Sequence, residues 1–279
     1  MTYNRRDLAL RCLKTCVEQN YPDIEIVVVV NPSSDGTEQA IQERFPQAKL
    51  IRTHKNIGFF PALNLAIANS NGDYIMTVDD DAYFMDKGAI AGLVSAFQKE
   101  PILGAVTCSL EGPHEKPLET SDRYIDVFTT GFTMLPREVF TEWVGYYPDL
   151  FFRSAGETYL CTRLWELGHP VKRLANVRMY HEHAMQGRSD WDCKFHNLRS
   201  QVLCALMRDP WYFVVPHLLS IEFKSFLQYL REGHFWTWIS AWISALYHFP
   251  QALCYRRPIS GKTQRLLWHL RKETVRHLP

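Results

Sequence analysis

Three observations predict an α/β fold built on a mostly parallel sheet. Apolar runs such as IVVVVN are continuous rather than alternating, which suits strands buried on both faces. Amphipathic helical stretches separate such runs at short intervals from residue 7 to residue 110. The run YIMTVD leads straight into three carboxylates, Asp79, Asp80 and Asp81, and ligands of open α/β sheets gather beyond the carboxyl ends of strands.

Taken in order, Asp7 to Gln19 reads as a helix and IEIVVVVN (24–31) as a buried strand. Thr37 to Phe45 reads as a helix, with Ser34, Asp35 and Thr37 placed to cap it. KLIRT (49–53) is a strand, Phe60 to Ser70 a helix and YIMTVD (74–79) a strand. Lys87 to Lys99 puts Ile90, Leu93, Val94 and Phe97 on one stripe, and ILGAVTCS (102–109) returns as a strand. EGPHEKPLETSD (111–122) is a polar, proline-containing loop. After it come a strand near Asp126 to Met134, a helix near Arg137 to Val144 and another near Glu157 to Leu167.

From about 205 the character changes. Gly233 to Tyr255 carries no formal charge, and Phe235, Trp238, Ile239, Trp242, Leu246 and Phe249 recur at steps of three and four, which predicts an aromatic helix face. Arg256 to Arg276 then carries seven Lys or Arg against one Glu. Aromatics at headgroup level with bases toward anionic lipid make an interfacial helix the leading reading. A helical hairpin packed on the main domain and a true span are the alternatives, the span disfavoured by intruding His, Gln, Ser and Thr. The expected division is 1–204 for the catalytic-type α/β domain, with halves 1–110 and 111–204, and 205–279 for a helical, basic, membrane-associating region.

The chain of 279 residues is 46% hydrophobic and 22% charged with a net charge of +1, so it can bury a sizeable core and has no basic excess for a nucleic-acid partner. Its seven cysteines are scattered without metal-type pairing, and no secretory signal opens the sequence, which points to a reducing cytoplasmic setting. Cys12 and Cys16, four apart, share a helix face suited to packing.

Three adjacent carboxylates repel one another and require a cation or a set of donors. Magnesium or manganese suits them, since carboxylates and substrate phosphates together complete the shell of such ions. A solvated acidic turn is the plain alternative. An EF-hand is excluded, because Phe84 stands where its glycine belongs and Ile90 where its glutamate belongs. A phosphatase-like hydrolase with Asp79 as nucleophile stays open at this point.

The motifs TYNRR, IVVVVNPSSDGT, NIGFFPALNLAI, GDYIMTVDDDA, TTGFTMLPREVF, VGYY, GETYLCTRLWELGH and YHEHAMQGRS occur in one order. Together they resemble glycosyltransferase family 2, inverting nucleotide-sugar enzymes of GT-A fold, over nearly the whole chain. The aromatic hairpin and basic end resemble members that build envelope or capsule polysaccharides at the inner membrane face. The resemblance implies a metal held by Asp79, Asp81 and His181, with His183 the second choice. It implies a catalytic base at Glu157, six residues before Arg163, taking the proton of an acceptor hydroxyl. For substrate binding it implies Thr2, Tyr3, Asn31, Asp35, Asn56, Gly58, Asn64, Asp79, Asp80, Gly131, Arg163 and Arg188. Glu157 also suits a helix start on structural grounds alone.

The chain departs from that pattern in three places. Tyr159 and Gly156 stand where the family motif has acids, Val30 stands where an Asp usually borders the base, and no apolar strand precedes TYNRR. The implied partners are a nucleotide-sugar donor, a glycan or lipid-linked acceptor and an anionic membrane surface. The rival expectation is an inactive sugar-nucleotide or glycan-binding module.

Overall fold

The computed structural model describes residues 1–115, 120–186 and 189–276. The chain runs α1 (Arg6–Val17), β1 (Val27–Val30), α2 (Thr37–Arg44), β2 (Lys49–Arg52), α3 (Phe59–Ala68), β3 (Tyr74–Val78), β4 (Ala82–Phe84), α4 (Ala89–Lys99), β5 (Ala105–Glu111), β6 (Arg123–Tyr124), β7 (Phe132–Pro136), α5 (Gly156–Glu166) and β8 (Val171–His181). The helices α6 (Asp190–Arg208), α7 (Trp211–Arg231), α8 (Phe235–Tyr247), α9 (Phe249–Cys254) and α10 (Gly261–Arg276) follow. Where a regular helix is expected over Arg137 to Val144, a single π-helical turn at Val139–Trp143 forms instead, and both Val139 and Phe140 bury their side chains.

β1 pairs with β2 in parallel. The larger sheet has the order β3-β7-β5-β8-β4, with β6 on β8. β7 is antiparallel to both β3 and β5, so those two remain parallel to each other, and β8 is parallel to β5. The expected parallel set therefore persists in β3, β5 and β8, while the reversed strands β7 and β4 make the sheet mixed.

β1 and β3 share no ladder among the described residues. A cavity of about 150 Å³ touching Met1, Val27, Val28, Met76, Val78 and Ile90 lies between them. Thr2 borders that edge: its N–H donates to the Val29 carbonyl at 3.0 Å and its carbonyl accepts from Asn31 N–H at 3.1 Å.

Helices cover both sheet faces. On one side Leu93, Val94 and Phe97 of α4 pack with Val106, Met134 and Met179, joined by Cys12 and Cys16 of α1. On the other, Phe60, Leu135, Phe140, Phe151 and Leu160 meet Leu198, Val202, Leu203 and Met207 of α6. Each fully buried side chain of this size contributes roughly 1.5–3 kcal/mol relative to exposure. That core runs on through Ala241 and Ala245 of α8, so α6, which passes through position 204, is packed on both sides.

The aromatic helix face is used differently from the interfacial expectation. Trp238, Trp242 and Phe249 turn inward against the core, because α6 and α7 lie over that stripe. Another face of α8 is left exposed, carrying Trp236, Ile243 and Tyr247, and Leu246 of the expected stripe is exposed beside it. Among the described residues, no helix is long and apolar enough to cross a membrane.

Candidate active site at the end of β3

β3 stops at Val78, the three aspartates turn, and β4 begins at Ala82 paired opposite His181 of β8. That register sets Asp81 beside the end of β8, where the Glu182 N–H donates to the Asp81 carbonyl at 3.0 Å. From Ala175 to His181, β8 alternates strictly between buried and exposed residues, so His181 faces inward with Val177 and Met179. This period-two signal is present in the sequence of β8. Together with the β4 register it is what brings Asp81 and His181 together.

A cation does wait for the carboxylates, and it belongs to the chain. Arg5, its side chain 5% exposed, places Nη1 2.7 Å from Asp80 Oδ1 and 3.4 Å from Asp81 Oδ2. Its Nε donates to the Gln186 carbonyl at 2.7 Å, and its Nη2 donates to the Ala184 carbonyl. Burial by itself would lower the Arg5 guanidinium, but Asp80 and Asp81 reverse this and raise it. Sequence reasoning did not assign Arg5; the Arg pair in TYNRR was the available signal.

Arg5 leaves part of the acidic turn unanswered. Asp81 Oδ2 also accepts from Ala184 N–H at 3.0 Å, whereas the buried Asp81 Oδ1 has no hydrogen-bond partner among the described residues. Nearby stands His181 Nε2, at 3.7 Å from Asp81 Oδ1. Asp79, Asp81 and His181 each offer a ligand atom, all within 4.8 Å of one another. An orphaned buried carboxylate oxygen with a second carboxylate and an imidazole around it fits an oxygen-preferring divalent cation. Burial pushes His181 below the usual imidazole range, against the pull of Glu115 and Asp81, and so favours the neutral ring that can ligate.

Gly131 shapes this site. It sits at φ +97°, and a Cβ there would run into the Asp79 carboxyl group. The loop before β7 therefore lies flush against Asp79, with Asp79 N–H donating to the Gly131 carbonyl at 3.3 Å.

A cavity of about 250 Å³ opens above the turn and is lined in part by Tyr3, Asn56, Gly58, Asp79, Asp80 and Glu157. Glu157 lies in the first turn of α5, directly after Ser154 and Ala155, which both hold positive φ at +64° and +66°. Such conformations are unfavourable for side-chain-bearing residues and gather where surrounding structure enforces them. Glu157 is half-buried and lines the cavity. Burial raises its carboxyl above the ordinary range, with its own backbone N–H and then Thr130 pulling the other way.

The remaining assigned residues are placed variously. Asn56 Oδ1 accepts from Gly58 N–H at 3.0 Å, holding the loop at the cavity rim. Asn64 forms two bonds with the backbone of Tyr147, at 2.8 and 3.0 Å, and anchors α3 rather than lining the cavity. Asn31 is fully buried, its Oδ1 accepting from Thr53 Oγ1 at 2.8 Å and Ile57 N–H at 3.2 Å. Asp35 ties the start of α2 to α1 by accepting from Thr37 N–H at 3.1 Å and Arg6 N–H at 2.9 Å. Thr2 is buried in its strand pairing, Arg163 lies on α5 beyond Glu157 and does not line the cavity, and Arg188 lies outside the described residues.

An α/β sheet of this order, with an acidic strand-end turn and a helix-start glutamate sharing one cavity, defines the class: it is the arrangement of GT-A glycosyltransferases. The chain belongs to glycosyl transferase family 2, whose family model matches residues 1–156. Among curated relatives, poly-beta-1,6-N-acetyl-D-glucosamine synthase of Staphylococcus epidermidis is 32% identical over 107 residues, 38% of this chain. The matched stretch is 26% of that relative's length. Two solved structures share the fold. TarS 1-349 of S. aureus in complex with UDP-GlcNAc has a TM-score of 0.63 at 17% identity, covering 95% of this chain and 82% of that one. The mannosyltransferase PcManGT of Pyrobaculum calidifontis, in complex with GDP-Man and Mn2+, has a TM-score of 0.59 at 19% identity, covering 98% and 78%.

Proposed function

We propose that this protein is a metal-dependent inverting glycosyltransferase that moves a sugar from a nucleoside-diphosphate sugar to a glycan or lipid-linked acceptor in cell-envelope polysaccharide synthesis. The observation that carries this reading is the shared cavity, onto which Asp79, Asp80 and Glu157 all open. A divalent cation, magnesium or manganese, held by Asp79, Asp81 and His181, would supply Lewis-acid stabilisation of the departing diphosphate. Tyr3, Asn56 and Gly58 are the cavity groups available to the donor nucleotide.

Glu157 is the base. As the acceptor oxygen bonds to the anomeric carbon, the carbon–oxygen bond to the diphosphate breaks with its electron pair, and the hydroxyl proton passes to the Glu157 carboxylate. A carboxylate whose proton affinity is raised by burial is better matched to this task than an ordinary one. Complexes of the two fold neighbours with UDP-GlcNAc and with GDP-Man and Mn2+ support a nucleotide-sugar donor. The relative named as a polysaccharide synthase supports a growing glycan as acceptor.

We place the protein peripherally on the cytoplasmic face of the membrane. The support is an exposed apolar stripe on α7, carrying Trp211, Val215, Leu219 and Phe223 on successive turns, with exposed Lys262, Arg265 and Lys272 on α10. On this reading residues 1–204 act on the sugars and 205–279 on the membrane.

A second reading, a sugar-nucleotide or glycan-binding module, is favoured by one observation. The α5 position at which a second acid is expected holds Tyr159, buried and pointing its hydroxyl toward the Tyr255 carbonyl at 3.5 Å. Calorimetry of wild type and Glu157→Gln with UDP-, GDP- and dTDP-sugars, with and without Mn2+, followed by turnover assays, decides. Metal-dependent binding in both proteins and turnover in wild type alone is expected. Binding without wild-type turnover would establish the module instead, and no binding would overturn both readings.

A further inference from the structure

The polar loop after β5 contributes a residue that no motif assigns. Glu115 Oε1 lies 3.1 Å from His181 Nδ1 and 2.7 Å from His183 Nε2. His181 thus stands between two carboxylates, Glu115 on its Nδ1 side and Asp81 on its Nε2 side. We propose that Glu115 is a positioning residue: it accepts the Nδ1 proton of His181 and so presents the Nε2 lone pair to the divalent cation at Asp79 and Asp81. This rests on the metal reading above.

The argument is one of proton inventory. An ionised carboxylate only accepts hydrogen bonds, so the 3.1 Å contact requires a hydrogen on Nδ1. In a neutral imidazole the other nitrogen then carries only a lone pair. That lone pair faces Asp81 Oδ1, itself a buried acceptor with no hydrogen-bond partner among the described residues. Two acceptors 3.7 Å apart are too far for a hydrogen bond and have nothing between them to share except a cation.

The ring is held for this purpose. Phe132 packs against it with centroids 4.8 Å apart, and His183 lies over it at 3.6 Å. His183 takes a positive φ of +55° and bonds the same Glu115 oxygen, which steadies that carboxylate. A rival arrangement places a separate ion among Glu115, His181 and His183, whose ligand atoms also lie within 4.8 Å of one another. That ion would take the Nδ1 lone pair, and His181 cannot then offer Nε2 to the Asp81 site without losing its last proton. The unsatisfied oxygen is at Asp81, whereas the Glu115 oxygen has both imidazoles as partners, so the first arrangement is the one assigned.

Manganese titration followed by electron paramagnetic resonance tests this, on the full chain as wild type, Glu115→Ala and Glu115→Gln. One bound Mn2+ is expected in all three. Affinity should fall about 10- to 100-fold in Glu115→Ala and only a few-fold in Glu115→Gln, whose amide oxygen still accepts from Nδ1. Nitrogen-15 spectra of the metal-free wild type should show His181 as the Nδ1-protonated tautomer, a readout that requires no variant to fold. Wild-type affinity in Glu115→Ala, equal losses in both variants, an Nε2-protonated His181, or two wild-type equivalents of which Glu115→Ala loses one would each overturn the proposal. A wild type that binds no Mn2+ sinks the metal reading and this proposal together, whereas the other outcomes sink this proposal alone.

Discussion

The turn at the end of β3 and the outer surface of α7 are opposite solutions to the same solvation problem. At the turn, buried charge is matched by Arg5 on Asp80 and by Ala184 N–H on Asp81 Oδ2, with Asp81 Oδ1 left over. On α7, large apolar side chains are left in water: Trp211 is 60% exposed, Leu219 59% and Phe223 69%. Both are unfavourable for an isolated chain, the first because unpaired buried charge is costly and the second because contiguous exposed apolar surface is. The difference teaches where each region expects its missing partner. On the proposed reading a small cation would answer the Asp81 oxygen that has no hydrogen-bond partner among the described residues, and an extended apolar surface would cover the α7 stripe.

Breaking the turn should have the largest effects. Asp81→Ala removes both the orphaned oxygen and the acceptor of Arg5 and Ala184, and turnover of the nucleotide sugar should fall by roughly a thousandfold or more, read as released nucleoside diphosphate. Turnover within a few-fold of wild type would place the metal elsewhere.

Arg5→Met attacks the other half of the match. Removing one partner of a buried ion pair typically costs about 3–5 kcal/mol, and here it strands Asp80 and Asp81 together. Urea unfolding should show a loss of that order. Saturating Mn2+ should restore part of it, since a cation can replace the lost charge, and the absence of any restoration would argue that Arg5 and the metal do not share the same carboxylates.

Glu157→Gln tests burial at the cavity with an effect of the opposite sign. Because the folded-state carboxyl is raised above its unfolded value, the protonated form favours folding at low pH, and that contribution is lost as pH rises through the raised value. At pH 7 the ionised carboxylate is therefore a burden. The glutamine variant should melt above wild type at pH 7 and match it more closely as pH falls below the ordinary carboxylate range. If Glu157 is the base as proposed, the wild-type transfer rate should fall on acidification through the same raised value, as its carboxylate becomes protonated.

The smallest effect on stability belongs to α7. Leu219→Asp combined with Phe223→Asp, on an exposed face, should change unfolding free energy by only about 0.5 kcal/mol per site. Co-sedimentation with vesicles containing anionic lipid should nonetheless drop severalfold. Retention of wild-type partitioning, or indifference to lipid charge and salt, would sharpen the comparison differently and mark the stripe as a surface with another use.

Much of the fold was legible in the chain. Seven of the expected elements up to residue 99 appear close to their expected bounds, because continuous apolar runs and helical stripes are local signals. The short β4 and the two-residue β6 were not expected, since three or fewer residues show no period. β7 begins at Phe132, six residues later than expected, because Asp126 to Gly131 turns past Asp79. At the site, Asp79, Asp80 and Glu157 were named from the sequence and meet at one cavity. Asn31, Asn64 and Asp35 were named with them and are bound up in contacts within the fold, Asn31 with Thr53 Oγ1 and Ile57 N–H and the other two with backbone.

The sequence by itself determined the seven regular elements expected up to residue 99, the acidic strand end and the family, because each is written in contiguous residues whose pattern needs no partner. Only the tertiary structure decided that Arg5 answers Asp80, that His181 stands between Asp81 and Glu115, and that the aromatic face of α8 turns inward. Those pairings join residues 66 to 100 positions apart or whole helices, and what selects them is register and desolvation, which exist only once the sheet has closed.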